Sequence, residues 1–353
     1  MQHLSFKQGH RRLAFSAFMK VDLEGKVHQV RFEKTIVRNA ARMSYEEAQA
    51  VLDGEIGEET FTQQKGVSGE TFEGVRERLG LLRKIALARR RGRNHSELFD
   101  KNEVVFELDS DNLPVNIGLR KRVEAEKIVE EFMIMTNCQV AQRLVADLGV
   151  NALLIHHPRP LEYNLSELNH YISGLGVKFK YQDIQRLPQE FEELFESEDI
   201  DDGVKQLLIL KAIQIQELAT YTRYRNTFKG HFGLNLEYYT HFTSPLRRFA
   251  DFVVHEQLQM CLAGRSYSCR EVVVLEQEIA CINNARLRSK KLKQRVVECF
   301  INLFLHHKGH TIRAKGFIVK LGLRSATIYV PTYNLIKEVP WQGSTAYAER
   351  DTV

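Results

Sequence analysis

The first part of the chain contains both strand-like and helix-like hydrophobic patterns. Apolar and polar residues alternate from Leu13 to Phe18 and from Val27 to Val37, as they do in half-buried strands. The intervening segment Asp22–Gly25 has turn composition, so we predict a β-hairpin. Helical spacing of apolar residues follows from Phe72 to Arg91, and a strand is predicted from Glu103 to Leu108.

The rest of the chain is predicted to be mainly helical before a final group of strands. The predicted elements are a helix over Val123–Leu148, a loop over Ala152–Pro160, a helix over Val204–Tyr224, one long helix or two over Glu271–His307, two strands within Thr311–Val330 and a third over Tyr333–Val339. A hairpin or small sheet packed with several long helices is an α+β fold.

Composition favours a partner with negative charge. The chain has 353 residues, a net charge of +5 and a pI of about 8.8, which suits a polyanion. Its five cysteines are scattered without metal-ligand spacing, which indicates a reducing compartment. No apolar run reaches the roughly 18 residues of a membrane span. We therefore expect a cytoplasmic protein with no membrane partner.

The stretch from Tyr239 to Leu258 carries the most specific chemistry. Ser244 is a good helix N-cap and Pro245 suits the first helical position, so we predict a helix from there, with Arg247 and Arg248 in its first turn. Cations are unfavourable at this end of a helix dipole unless they bind an anion. The pair is therefore either a phosphate clamp, held in place by Asp251, or two exposed surface arginines.

This stretch resembles the signature of the RNase II/RNase R (RNB) family of 3′→5′ exoribonucleases. The segment from His241 to Arg248 matches the family pattern His-Phe-Thr-Ser-Pro-Ile-Arg-Arg with Leu246 in place of Ile, and Glu256 replaces a usual Arg. The resemblance implies binding of a single-stranded RNA 3′ end and release of nucleoside 5′-monophosphates. It implies that Arg247 contacts the scissile phosphate.

Other family-like segments imply further site residues. In Ala41–Gln49, Ser44 is predicted to begin a short helix with Glu47 as its partner in a capping box, and the resemblance makes Tyr45 an active-site residue. The segment Glu124–Asn137 resembles a family helix, and this resemblance makes Glu131 a further predicted site residue. Each residue also has a plain structural interpretation, as a packed tyrosine or a helix-surface glutamate. The predicted catalytic residues are Arg247, Tyr45 and Glu131, and the predicted RNA-binding residues are Phe99, Arg248, His241, Thr243, Ser244, Arg286 and Lys290.

The resemblance also predicts the domain organisation. Residues 1–308 correspond to the C-terminal portion of an RNB domain, and residues 309–353 correspond to the start of an OB-fold RNA-binding domain, an incomplete β-barrel of the OB type. The family uses Mg²⁺ held by clustered aspartates that precede the region resembling this chain. The nearest aspartate pair here, Asp109 and Asp111, is better explained as a turn.

Three hypotheses for the function follow. The first is an RNase R-like exoribonuclease polypeptide whose metal-binding aspartates come from outside this chain, for example from another polypeptide that supplies the missing half of the domain. The second is an inactive RNB remnant that binds RNA or a partner. The third, from the residues alone, is a Zn²⁺ site at Asp251, His255 and His241. Whether the chain is an enzyme depends on which of these holds.

Overall fold

A long antiparallel hairpin begins the fold. The computed structural model describes residues 5–65, 71–93, 103–174, 187–196, 200–308 and 313–341. Strand β1 (Arg11–Val21) pairs with β2 (Val27–Arg38), which confirms the predicted hairpin. Its turn needs Gly25, because φ is +82° there and a Cβ atom would lie 2.3 Å from the Arg89 side chain. Arg89 donates a hydrogen bond to the Gly25 carbonyl (2.8 Å), so the hairpin is held against a helix.

Helices make up most of the described structure. They are α1 (Tyr45–Asp53), α2 (Glu58–Lys65), α3 (Phe72–Gly92), α4 (Glu124–Leu148), α5 (Glu162–Gly174), α6 (Leu187–Phe195), α7 (Asp202–Gln214), α8 (Phe249–Leu262) and α9 (Cys269–Lys308). The predicted capping box of α1 is confirmed, with both Ser44 and Glu47 bonded to backbone amides. Among the described residues, no helix combines the length and apolar character that crossing a membrane requires.

Helix α4 is the centre of the main core. Val140, Ala141 and Leu144 have no exposed surface, and they pack with the first part of α9 and with α8. A fully buried aliphatic side chain contributes roughly 1.5–3 kcal/mol to folding. The strongest helical pattern in the sequence thus forms the element that supports the signature stretch.

Two predictions in the middle of the chain are wrong. The predicted loop over Ala152–Pro160 contains strand β5 (Leu153–His156), and the predicted helix over Val204–Tyr224 ends at Gln214 and is followed by strand β6 (Thr220–Arg223). These two short strands pair with each other. Pairing across so many residues is not visible in local periodicity, which explains both errors. Strands β3 (Glu103–Leu108) and β4 (Pro114–Arg120) form another antiparallel pair.

Three antiparallel strands follow α9, as predicted. They are β7 (Phe317–Leu321), β8 (Ser325–Val330) and β9 (Leu335–Pro340), with β8 in the centre. The sheet packs on α7 through Phe317 and Leu207. Gly203 allows this approach, since a Cβ atom there would lie 2.6 Å from the Phe317 ring. The described chain is thus a mixture of helices and strands, as the α+β prediction requires.

Candidate functional site

The signature stretch forms a hydrogen-bonded turn before α8. The helix begins at Phe249, four residues later than the predicted start at Pro245, so Arg247 and Arg248 precede it. The Ser244 carbonyl accepts hydrogen bonds from the backbone amides of both arginines (3.2 and 3.1 Å). The prediction that Ser244 caps the helix is therefore wrong, and Leu246 and Phe249 are exposed instead of facing the core.

Asp251 explains why the turn takes this shape. Its side chain is 0% exposed, and its Oδ1 accepts hydrogen bonds from the Ser244 amide (2.7 Å) and from Arg248 Nη2 (2.9 Å). Arg248 Nε lies 2.7 Å from the other carboxylate oxygen. A buried carboxylate needs such partners, so Asp251 fixes both the turn and Arg248.

The two arginines consequently differ. Arg248 is committed to Asp251, whereas Arg247 is exposed and forms no side-chain hydrogen bond or ion pair with another described residue. A guanidinium has five N–H donors in a planar fork that matches two oxygens of a phosphate. Arg247 therefore has its full donor capacity free for an anion.

Arg247 lies at a groove between the turn and the hairpin. The groove encloses about 1090 Å³, and Thr243, Ser244 and Arg247 form part of one side. The Thr243 Oγ1 atom is buried and has no hydrogen-bond partner among the described residues. The facing wall is apolar and includes Leu13 and Ile36, a cross-strand pair whose side chains are both exposed. This surface can hold an anionic group beside an apolar or aromatic one.

His241 has a different environment. It does not line the groove, and the Tyr221 hydroxyl donates to its Nδ1 (2.6 Å). Burial, followed by the nearby Arg248, lowers the pKa of His241 to about 2. Burial raises the pKa of Tyr221 to about 12. The tyrosine therefore keeps its proton and the histidine stays neutral, so His241 carries no positive charge for an anion.

Two buried amides position the signature and were missed by sequence reasoning. Asn137 of α4 accepts a hydrogen bond from the Phe242 amide (2.9 Å) and donates to the Tyr239 hydroxyl (3.2 Å). Gln257 accepts from the Leu153 amide (2.9 Å) and donates to the Asn151 carbonyl (2.8 Å). A polar residue inside an apolar helical run was the signal available for both.

Glu131 and Tyr45 lie away from the groove lining. Glu131 is 1% exposed and forms an ion pair with Arg93 at the end of α3. Arg93 also donates to the Leu234 carbonyl (3.3 Å) and so joins α3 and α4 to the segment before the signature. Tyr45 is exposed at the start of α1. Phe99 lies outside the described residues.

The predicted basic contacts lie on α9. Arg286 donates to the Ala219 carbonyl (2.5 Å) and its guanidinium lies 5.8 Å from the centre of the Tyr221 ring. It is therefore close to the Tyr221–His241 pair. Lys290, one turn further along, is exposed, as is every residue from Asn284 to Val296.

The described residues provide no metal centre. No group of three histidine, cysteine, aspartate or glutamate side chains among them is arranged to hold an ion. The Zn²⁺ hypothesis is wrong, because Asp251 pairs with Arg248, His255 donates to the Phe242 carbonyl (2.9 Å) and His241 accepts from Tyr221. Asp109 closes its own turn by accepting the amides of Asp111 and Leu113 (both 2.9 Å). Mg²⁺ prefers several oxygen ligands, so these residues do not fit that ion.

Comparison with known proteins identifies the family. The RNB domain model matches residues 1–264. DIS3-like exonuclease 2 of Caenorhabditis elegans is 26% identical over 344 residues, which cover 96% of this chain and 40% of the relative. Ribonuclease R of Aquifex aeolicus is 29% identical over 337 residues, which cover 90% of this chain and 44% of that relative. The chain thus spans less than half of the length of these two curated relatives.

The fold is also that of a solved RNase R. The structure of Mycoplasma genitalium RNase R in complex with ribose methylated single-stranded RNA matches with a TM-score of 0.80 and 18% identity, over 95% of this chain and 51% of that one. Yeast Ssd1, described as a pseudonuclease, matches with a TM-score of 0.67 and 18% identity, over 96% and 40%. By its sequence match over residues 1–264, the chain belongs to the RNB family.

Proposed function

We propose that this chain is an RNase R-like polypeptide that binds the 3′ end of single-stranded RNA, as part of a site for 3′→5′ hydrolysis to nucleoside 5′-monophosphates. The observation that carries this proposal is the guanidinium of Arg247, exposed at the groove and without a partner among the described residues. Family membership supports it, since one related protein is named an exonuclease and another a ribonuclease.

In this proposal the turn binds phosphate. Arg247 donates two parallel hydrogen bonds to phosphate oxygens, and such charge-assisted bonds are roughly twice as strong as bonds between neutral groups. The Thr243 hydroxyl, buried and without a described partner, donates a further one. Ser244 and Arg248 hold the turn through Asp251, and the Arg248 charge adds a favourable potential without direct contact.

The remaining predicted residues act around this contact. Phe99 stacks on a base, a contact worth roughly 1–3 kcal/mol, and Tyr45, exposed at the start of α1 and outside the groove lining, contacts the RNA beyond the groove. Glu131 acts through Arg93: the pair fixes the end of α3 to α4, so we propose a positioning role for it. His241, neutral and bonded to Tyr221, keeps the segment before the turn in place against β6. Arg286 and Lys290 contact the RNA backbone without sequence preference.

RNB nucleases are generally metal-dependent, and we propose Mg²⁺ for the assembled site, with ligands outside the described residues. Another polypeptide that supplies acidic groups would cover the apolar hairpin wall at Leu13 and Ile36. We further propose that residues 1–308 form the RNB portion and 309–353 the start of an OB-type barrel, to which β7–β9 contribute. RNA degradation of this kind suits a cytoplasmic protein.

A second candidate is an RNB remnant that binds RNA or a partner and does not cleave. The lack of an acidic ligand cluster among the described residues favours it. The fold does not separate the two candidates, because the chain resembles both an RNase R and a pseudonuclease.

A cleavage time course tests both candidates. The chain is incubated with 5′-labelled single-stranded RNA and Mg²⁺ beside Arg247→Ala and Arg270→Ala, the latter removing another exposed arginine at the start of α9. Progressive shortening from the 3′ end that only Arg247→Ala abolishes supports the nuclease. RNA that is bound but remains intact supports the remnant. RNA that is neither bound nor cut contradicts the nuclease and the RNA-binding form of the remnant.

A further inference from the structure

The middle of α9 is a helical segment that no other described element covers. The first part of the helix is buried in the main core through Leu275, Ile279 and Ile282. The last part packs on the β3–β4 hairpin, with the rings of Phe300 and Phe106 5.2 Å apart. Between these anchors, every residue from Asn284 to Val296 is exposed. The segment is thus a helix that is held at both ends and exposed in the middle, where its contacts with other described elements are made by Arg286 and Lys293.

A stripe of exposed residues runs along one side of this segment and continues towards its end. Alternating steps of four and three residues connect its members, which are Ala285, Ser289, Leu292, Val296, Cys299 and Leu303. Leu292 is 64% exposed, Val296 46% and Leu303 39%. A 4–3 spacing is the pattern by which one helix packs along another. The buried residues Ile301 and Phe304 lie on a different side of the helix.

Cations border this stripe on both flanks. Arg288 and Arg295 lie on one side and Lys293 on the other, at the positions that flank the contact line in a pair of helices. The sequence contains no acidic residue from Arg286 to Arg295. Arg288 and Arg295 form no ion pair with another described residue, and Lys293 lies 3.9 Å from Glu103. The flanking charge is therefore largely uncompensated.

The pattern of charge selects the occupant. A second copy of this helix would bring cations against cations in either orientation, which is unfavourable. RNA would explain the cations, but it would leave the exposed Leu292 and Val296 between them without a role. A helix with apolar residues on one side and glutamate or aspartate on its flanks satisfies both features.

We propose that the α9 segment from Ala285 to Leu303 is a docking surface for an acidic amphipathic helix of a partner protein. The apolar stripe provides the buried contact, and Arg288, Lys293 and Arg295 select the acidic flanks. From Leu292 to Leu303 the contact line extends over roughly 16 Å at 1.5 Å per residue. This surface is separate from the groove at Arg247. Arg286 and Lys290, for which RNA contact is proposed above, lie in the same stretch of α9 but belong neither to the stripe nor to the three cations that select the acidic flanks.

A designed peptide tests the proposal on the full chain. The probe is a helix of about four heptads with Val and Leu on the contact line and Glu on both flanks; the control peptide has Lys on the flanks. Fluorescence anisotropy is expected to show that the Glu peptide binds and that the Lys peptide does not. Leu292→Asp is expected to weaken binding about tenfold or more. Leu287→Asp, on the opposite side of the same segment and 45% exposed, is expected to leave it unchanged.

The charge arm uses the double variant Arg288→Glu with Arg295→Glu. This variant is expected to bind the Glu peptide more weakly and the Lys peptide more tightly than the unchanged chain does. Circular dichroism checks that each variant remains folded. The proposal is overturned if the Glu peptide does not bind, or if Leu287→Asp and Leu292→Asp have equal effects. The proposal is also overturned if the segment binds single-stranded RNA and not the Glu peptide, and the charge variant weakens this RNA binding while Leu292→Asp does not.

Discussion

Replacing Asp251 with alanine tests how the signature turn is built. The substitution removes the acceptor of the Ser244 amide and the ion-pair partner of Arg248 at a position with no solvent exposure. No other described residue forms an ion pair with Arg248. The turn that presents Arg247 therefore loses its main internal support.

The magnitude follows from the groups left without partners. Leaving a buried charge uncompensated costs about 3–5 kcal/mol, and leaving a buried amide unbonded costs about 1–3 kcal/mol. The Arg248 side chain is 22% exposed, so water recovers part of its loss. We therefore expect Asp251→Ala to lower the free energy of unfolding by about 3 kcal/mol. Asp251→Asn keeps an acceptor for Ser244 and should cost about half of that.

Urea unfolding followed by circular dichroism measures both variants, together with Arg248→Ala and the double variant Arg248→Ala with Asp251→Ala. Because the two side chains form one pair, the double variant should lose clearly less than the sum of the single losses. A loss below about 1 kcal/mol for Asp251→Ala, or strict additivity of the two losses, would refute the reasoning.

Three further predictions concern other parts of the fold. Asn137→Leu leaves the Phe242 amide without its acceptor and should cost about 1–3 kcal/mol in urea unfolding; a neutral result would contradict its positioning role. Burial lowers the pKa of His231 to about 3 and that of His241 to about 2, from an ordinary 6.5. The contribution of these two neutral histidines to the free energy of unfolding should be complete above pH 6.5. It should be lost as pH falls below that value, at about 1.4 kcal/mol per pH unit for each histidine. Substituting both with Gln should flatten the pH dependence of the free energy of unfolding, and an unchanged slope would contradict this. Gly203→Leu should displace the Phe317 ring and destabilise the packing of the β7–β9 sheet by about 1–3 kcal/mol. The fluorescence of the single tryptophan, Trp341, followed during unfolding, measures this effect. Unaltered fluorescence and an unaltered unfolding curve would argue against it.

Local pattern predicted the elements that depend on local chemistry. The hairpin follows from alternation and a glycine turn, α1 from its capping box, and α4 from long helical periodicity. All three are decided within a few turns of chain, where propensity and capping act. The same is true of the three strands that follow α9.

The errors lie where distant residues decide the structure. Ser244 and Pro245 favour a helix start, but the buried carboxylate of Asp251 binds the Ser244 amide and converts that segment into a turn. Strand β6 breaks a helical pattern because β5 offers it a partner. Asn137 and Gln257 bond to backbone more than a hundred positions away in the chain, and a sequence pattern carries no sign of such contacts.

The central claim is that Arg247 binds the 3′ end of RNA. Equilibrium binding of labelled single-stranded RNA, measured in EDTA with linear and circular molecules of the same sequence, tests it most directly. We predict that the linear RNA binds more tightly and that Arg247→Ala weakens its binding about tenfold or more, whereas Arg270→Ala does not. Equal affinity for linear and circular RNA, or equal losses for the two arginine variants, would contradict the account.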